Sequence, residues 1–336
     1  MKMRSIWLPV LLTLVLTFGF AVPKKDYLYV PEVTGAWWQV AHNPDLGRHT
    51  TKKQQPVDFA IWQAADGSWQ LWSCIRGTAC GGKTRLFYGW ESRNLTDADW
   101  TPRGIVMEAD STVGEVPGGL QAPHVIVRDG IYYMLYGCWD GICLAKSTDG
   151  KHFTRIVNKN GTTKLFSGPM MNTRDPMTLK IGDTYHCYYV GHLNNDDPAK
   201  IKAAIFCRTS QNLLDWSEPT LVSGGGCVAE LDGWGGGDAE CPFVVPMGDK
   251  YVLFRNQVYA PDNLNTQYCS PNPMDFGVDS DRYMVGQLKV AAPEIIKAGN
   301  LYYIAALMPG IDGIRIARLN FKKVVNHPGF APERIR

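Results

Sequence analysis

The sequence predicts an all-β chain closed into a five-bladed β-propeller. A hydrophobic strand that begins at a proline or its equivalent, usually beside an ionisable residue, runs to a tight turn and returns as an aromatic strand. This unit recurs with its proline position at Phe59, Pro123, Pro176, Pro242 and Pro293, at intervals of 51 to 66 residues. No amphipathic helix of any length interrupts it, and Val, Ile, Tyr and Phe fill the runs. Repeats of about four strands at this period are the pattern of propeller blades. A β-sandwich of hairpins, the competing architecture, would not repeat one motif at this spacing.

The chain begins with Lys2 and Arg4, an apolar run from Ile6 to Phe20, and small residues in Gly19-Phe20-Ala21. Residues 1–21 therefore read as a secretory signal peptide, the run being shorter than the ~20 apolar residues of a membrane span. An uncleaved anchor is the alternative. Secretion or a periplasmic location is expected, with no membrane association after cleavage. Residues 22–50 hold a strand-like Tyr27-Leu28-Tyr29-Val30 and Trp37-Trp38. This arm is expected to pack on the propeller or lend it a closing strand.

The propeller is expected over residues 51–323, with 324–336 as a C-terminal tail. The first unit runs from Gln55-Pro56-Val57-Asp58-Phe59 through an Ala-Asp-Gly turn to Trp69-Gln70-Leu71-Trp72. The second starts at Gln121-Ala122-Pro123-His124, and the third at Asn172-Thr173-Arg174-Asp175-Pro176-Met177. The fourth starts at Ala239-Glu240-Cys241-Pro242 and the fifth at Ala292-Pro293-Glu294. Asp-Gly, Gly-Asp and Gly-Asn turns supply the positive φ that tight hairpins need. Residues 101–120, 190–202 and 222–238 read as rim loops between blades.

The 336 residues are 45% hydrophobic and 20% charged, with a net charge of +2, so neither a nucleic acid nor an anionic membrane is implied as a partner. A monomer is expected. Nine cysteines in a secreted chain suggest disulfides. Cys74 with Cys80, Cys138 with Cys143, Cys187 with Cys207 and Cys227 with Cys241 are the readable pairs, leaving Cys269 free. No paired Cys-x-x-Cys spacing marks a metal site, and no cofactor is required.

In a propeller the first strand of each blade lines the axis, which brings Asp58, His124, Asp175, Glu240 and Glu294 toward one another. Glycosidic hydrolysis needs two carboxyl groups, one to protonate the leaving oxygen and one to attack the sugar or activate water. Carboxyls crowded together raise one another's proton affinity. Arg174 beside Asp175 is suited to holding that carboxylate and a sugar hydroxyl. The bland alternative for each acid is a carboxylate capping strand-start amides.

These motifs resemble the five-bladed propeller glycosidases of glycoside hydrolase families 43 and 32, across nearly the whole mature chain. Val57-Asp58-Phe59, Ala122-Pro123, Asp175-Pro176 and Glu240-Cys241-Pro242 match the blade-start patterns of family 43. Arg174-Asp175-Pro176 and Glu240-Cys241 match those of the fructan-cleaving family. The resemblance implies Asp58 as general base or nucleophile, Asp175 as transition-state stabiliser and Glu240 as general acid. It also leaves room for a structural calcium ion near the axis. The chain departs at Phe59, which replaces a proline, at His124, which replaces an acid, and at Glu294, where many relatives place a histidine.

The expected substrate is an oligosaccharide or polysaccharide, with furanosidic or related plant or algal linkages. His124, Arg174, Glu294, Trp139 and Trp234 are candidate substrate contacts, with Trp37, Trp38, His192, Asn194 and Asn195 as weaker ones. Two other readings remain open: a glycoside phosphorylase drawing on Arg174, His124 and Arg255, and a sugar-binding propeller without catalysis.

Overall fold

Five antiparallel sheets account for the regular structure, and each begins with one of the repeated motifs. The computed structural model describes residues 25–170, 172–193, 202–226, 239–327, 330–332 and 334. Residues 1–21, read from the sequence as a signal peptide, and Asn194, Asn195, Cys227 and Trp234 lie outside the described residues.

The first blade is β2 (Gln55–Gln63), β3 (Trp69–Arg76), β4 (Leu86–Ser92) and β5 (Thr101–Met107), paired in that order. The second is β6 (Gln121–Arg128), β7 (Ile131–Gly137) and β8 (Ile142–Ser147), with β9 (Thr154–Arg155) and β10 (Lys164–Phe166) both pairing with β8. The third runs β11 (Arg174–Ile181), β12 (Thr184–Leu193), β13 (Lys202–Ser210) and β14 (Thr220–Ser223). The fourth runs β15 (Glu240–Met247), β16 (Lys250–Val258), β17 (Leu264–Ser270) and β18 (Met284–Leu288).

The fifth blade holds β19 (Glu294–Ala298), β20 (Leu301–Leu307) and β21 (Gly313–Val325), and its outer strand is β1 (Tyr27–His42). β1 pairs with β21 from Tyr27↔Val325 to His42↔Gly313. The N-terminal arm thus lends the ring its closing strand. Trp37 lies under Arg315 and Trp38 meets Tyr303 edge to face, so both pack on this blade.

The inner strands β2, β6, β11, β15 and β19 touch their neighbours in turn around a closed ring. Between blades the faces are apolar. Trp62, Trp72 and Phe153 pack edge to face where the first two blades meet, and Trp62 Nε1 donates to Gly150 O at 2.7 Å. Residues 101–107 form a strand and not the expected loop. Pro102 and Gly104 disguise it, yet an outer strand accepts both because one of its edges needs no partner.

The expected disulfides are not formed: all eight described cysteines are free thiols. Cys187 stands opposite Arg208 and Cys207 opposite Tyr188, a one-residue offset that sends the two side chains to opposite faces of the blade. They enter different core clusters. Cys74 donates to Leu120 O, and Cys80 turns instead to Arg85 O. Cys138 and Cys143 meet thiol to thiol, unbridged. Cys241 faces the axis, and Cys269, expected free, is so.

Candidate active site

Each inner strand carries the same backbone device. Asp58, Ala122, Asp175, Cys241 and Ala292 have φ of +32°, +41°, +57°, +44° and +47°. Each immediately precedes the proline position of its blade. In the first four blades the strand register slips at this residue. The slip is a β-bulge, which bends the strand and re-aims one side chain. A residue before proline is kept out of the right-handed helical region, which favours the irregularity. Asp tolerates positive φ better than most residues, whereas alanine and cysteine are held there against preference.

The bulged residues form a ring. All five line a narrow axial pit together with Phe59, Pro123, Pro176, Pro242 and Glu294. Above the pit opens a cavity of about 470 Å³. It is lined by Asp58 and Asp175 at its floor, by Asn172, Arg174 and Glu240 on one side, and by Arg76 and Arg85 on another. The segment Gln257 to Asp262, which ends β16 and continues past it, supplies a further wall.

The acids singled out in the sequence therefore occupy different levels. Asp58 and Asp175 sit at the bulge itself. Glu240, like Arg174, comes one residue earlier and faces the cavity from higher up. Glu294 comes two residues after the bulge and lines the pit below. His124 holds the same position in its blade as Glu294 but does not line the cavity. It is buried, with Nε2 3.0 Å from Thr178 O and its ring edge-to-face with Phe243. Burial lowers its pKa to about 4, so it is a neutral packing residue between inner strands.

Arg174 organises the upper carboxylates. Its guanidinium donates to Glu240 Oε1 and to Asn172 O, and its Nε lies 3.7 Å from Asp175 Oδ2. His192 Nε2 is 3.4 Å from its Nη1. Burial opposes the arginine's charge, but Glu240 and then Asp175 hold its pKa above the ordinary value. The sequence pairs Arg174 with its neighbour Asp175; in the fold its short contact is with Glu240.

Asp175 is 5% exposed, and burial, followed by the charge of Asp58, pushes its pKa up to about 7. Arg174 and the Cys241 N–H, which donates to Oδ2 at 3.2 Å, act in the opposite direction. The Cys241 thiol lies 3.3 Å from Asp58 Oδ1, 3.7 Å from Asp175 Oδ2 and 3.1 Å from the Tyr259 hydroxyl. Burial, then the nearby acids, raise that thiol well above its usual range, so it is neutral. Burial, then the charge of Asp58, likewise raises Glu294 well above the ordinary carboxylate range.

One atom each of Asp58, Asp175 and Cys241 lie within 4.8 Å of one another, the one grouping among the described residues that could hold a metal ion. It does not suit calcium, which takes six to eight oxygen ligands. Beside that thiol and those two carboxylates the pit adds the Glu294 carboxyl, Phe59, alanines and prolines, fewer side-chain oxygens than calcium takes.

Three buried polar atoms of cavity-lining residues have no hydrogen-bond partner among the described residues: Asn172 Oδ1, Asp175 Oδ1 and Gln257 Nε2.

The other candidates are dispersed. Trp139 does not line the cavity; Lys83 Nζ and the Arg85 guanidinium lie 4.6 Å and 5.2 Å from its ring centre. Arg255 is buried, bonded to Ser223, Gly225 O and Tyr268, and also does not line the cavity. The basic cluster of Arg174, His124 and Arg255 is therefore not assembled. Arg76, Arg85, Gln257 and Tyr259 escaped the sequence reading because they lie at strand ends and in a connection that carries no repeated pattern.

The chain matches no protein-family model and no curated protein sequence. It is similar to solved structures. A thermostable family-43 glycoside hydrolase shares 19% identity over 87% of this chain and 98% of its own, with a TM-score of 0.58. An endo-arabinase from Bacteroides thetaiotaomicron shares 14% over 85% and 99%, also at 0.58. A Bombyx mori family-32 β-fructofuranosidase mutant in complex with sucrose shares 15% over 87% of this chain and 65% of its own, at 0.57. The chain shares their fold. At these identities the likeness is one of architecture, and any activity has to be argued from the cavity.

Proposed function

We propose that the chain is a secreted glycoside hydrolase that cleaves furanosidic or related plant or algal glycan linkages. The observation that carries this is three carboxyl groups, Asp58, Asp175 and Glu240, converging with Arg174 on one axial cavity.

In this reading Glu240 protonates the departing glycosidic oxygen. The C–O bond breaks, and positive charge develops at the anomeric carbon. Asp58 attacks that carbon or takes a proton from the water that does. Asp175 hydrogen-bonds the sugar and stabilises the transition-state charge. Arg174 holds Glu240 in place until substrate hydroxyls compete for its donors. The neutral Cys241 and Tyr259 seal the floor beside Asp58 without adding charge.

One observation favours a second assignment of the proton. Asp175, whose pKa is about 7, holds a proton near neutrality in the free protein, while Glu240 is paired with an arginine. Asp175 would then be the proton donor and Glu240 the stabiliser.

The test compares aryl glycosides carrying good and poor leaving groups, after an oligosaccharide panel has identified a substrate. Removing the proton donor is expected to cost at least ~100-fold in kcat for poor leaving groups and far less for activated ones. Glu240→Gln showing this pattern supports the first assignment, and Asp175→Asn showing it supports the second. Asp58→Asn should abolish both rates. Full activity in Asp58→Asn and Glu240→Gln would overturn the glycosidase reading. Sugar binding by calorimetry with no product on long incubation would identify a non-catalytic binding propeller.

A further inference from the structure

The cavity wall from the first blade is basic, and its charges make no ion pair among the described residues. Arg76 ends β3 and Arg85 precedes β4; both line the cavity and are half-buried. Neither has a carboxylate partner among the described residues. Arg76 donates only to the neutral Gln55 Oε1, at 3.1 Å from Nε and 2.8 Å from Nη2. Arg85 lies over the face of Trp139, with Lys83 over the same ring. A half-buried guanidinium without a carboxylate is an unfinished arrangement, since its fork of donors matches a carboxylate or a sulfate.

The wall is also built rigidly. Lys83 N donates to Pro117 O at 2.9 Å and Arg85 N to Gly118 O at 2.8 Å, joining two loops. A Cβ at Gly82 would lie 1.9 Å from Pro117 O, and one at Gly118 would lie 2.2 Å from Gly81 O, so only glycines allow the contact. Trp139, the platform under Arg85, is held at φ +75°, which costs a tryptophan conformational energy. Arginines that served only solubility would not need such fixing.

The level of the wall is set by register. Arg76 pairs with Gln55, three residues before Asp58 on β2, or about 10 Å along an extended strand. Moving back along β2 from Asp58 leads from the pit toward the wider cavity. The arginines therefore face a sugar unit neighbouring the one held at the carboxylates. Asp58, Asp175 and Glu240 surround the bond to be cleaved and would repel an anion there; Asp262 is the remaining acid on the cavity's lining.

We propose that Arg76 and Arg85 form a subsite for an anionic sugar unit, bearing a carboxylate or a sulfate ester, next to the cleavage point. The inference deepens the glycosidase reading by naming a substrate class, yet its binding part stands apart from catalysis. The experiment measures binding by calorimetry, using uronate oligosaccharides against their carboxyl-reduced forms, and sulfated oligosaccharides against their desulfated forms. The two pairs separate the two sources of charge.

The expected result is at least a tenfold preference for the charged member of one pair, shrinking as salt is raised. Arg85→Gln and Arg76→Gln should each cut that charged-to-neutral ratio by about tenfold. Circular dichroism and melting of each variant identify any that misfold, and the salt dependence of the wild-type protein then carries the test. Equal affinity for both members of both pairs, or a preference that the two variants leave intact, overturns the subsite. Hydrolysis is scored separately on the same ligands. Binding with the expected preference and no cleavage sinks the glycosidase reading and keeps the subsite, whereas cleavage of neutral glycans with no charge preference does the reverse.

Discussion

Asp175→Asn should make the protein more stable at alkaline pH while damaging its site. The side chain is 5% exposed, and burial, followed by repulsion from Asp58, raises its pKa from 3.8 to about 7. Between those values the native state keeps a proton that the unfolded chain has already lost. Stability contributed by this group is full below about pH 4, falls as pH rises through that window and levels off above pH 7. Three pKa units correspond to about 4 kcal/mol of destabilisation at pH 8. Asparagine removes the charge and can still accept the Cys241 N–H through its amide oxygen. With an unfolding entropy of about 2 cal/mol/K per residue, about 4 kcal/mol amounts to roughly 6 °C in Tm for a chain of this size. Calorimetric melting of both proteins at pH 4 and pH 8 is the assay. A gain at pH 8 that vanishes at pH 4 is expected. An equal gain at both values, or a loss at pH 8, would refute the argument that Asp175 is a charge held at a cost for function.

Three further outcomes follow from the same geometry. Arg174→Met leaves Glu240 and Asp175 without their buried cation and should destabilise by about 3–5 kcal/mol in denaturant titration at pH 7, and by clearly less at pH 4, where Asp175, with its pKa raised to about 7, carries a proton. His124, whose buried pKa is about 4, binds no proton in the native state until well below the unfolded value of 6.5, so stability is lost as pH falls through that interval. His124→Gln should remove up to about 3 kcal/mol of that acid loss, read from urea curves at pH 4.5 and pH 7.5. Cys241, half-buried and neutral among carboxylates, should resist iodoacetamide at pH 7.5 for as long as the protein stays folded, and peptide mass spectrometry after urea should find it labelled; rapid labelling without urea would contradict the raised pKa.

The architecture was legible because a propeller repeats its signal. Turn residues and, in four of the five blades, a proline mark the inner strands, and five weak motifs at one period exclude fold classes that any single motif would allow. The site was legible in part. Asp58, Asp175, Glu240 and Arg174 stand beside the repeated proline, so the period that marks the blades also marks the axis. Their heights were not legible, since a bulge decides whether the residue one or two places before the proline looks into the pit or the cavity. His124 shows the consequence: one step past the proline its side chain is buried against Thr178 O. Arg85 and Tyr259 were invisible for a different reason. They reach the cavity through connections whose course depends on tertiary packing, with no periodicity to betray it. The cysteines misled because proximity in sequence was read as proximity in space, while the pleat put Cys187 and Cys207 on opposite faces.

The pairing of β1 with β21 bears on how such a chain is made. These strands are separated by nearly the whole sequence, and β1 has no other sheet neighbour. During synthesis, the first blade strand to emerge is the last to find its partner. Four blades can form on local hairpins, but the ring stays open until the C-terminal strand arrives, and a contact between such distant segments forms slowly. In that interval a 16-residue strand presents two unpaired edges, an invitation to pair with another copy. Recovery of the protein from expression should then depend on the rate of ring closure more than on the strength of any one blade, and slower synthesis or a holdase should help it more than a stabilising core substitution.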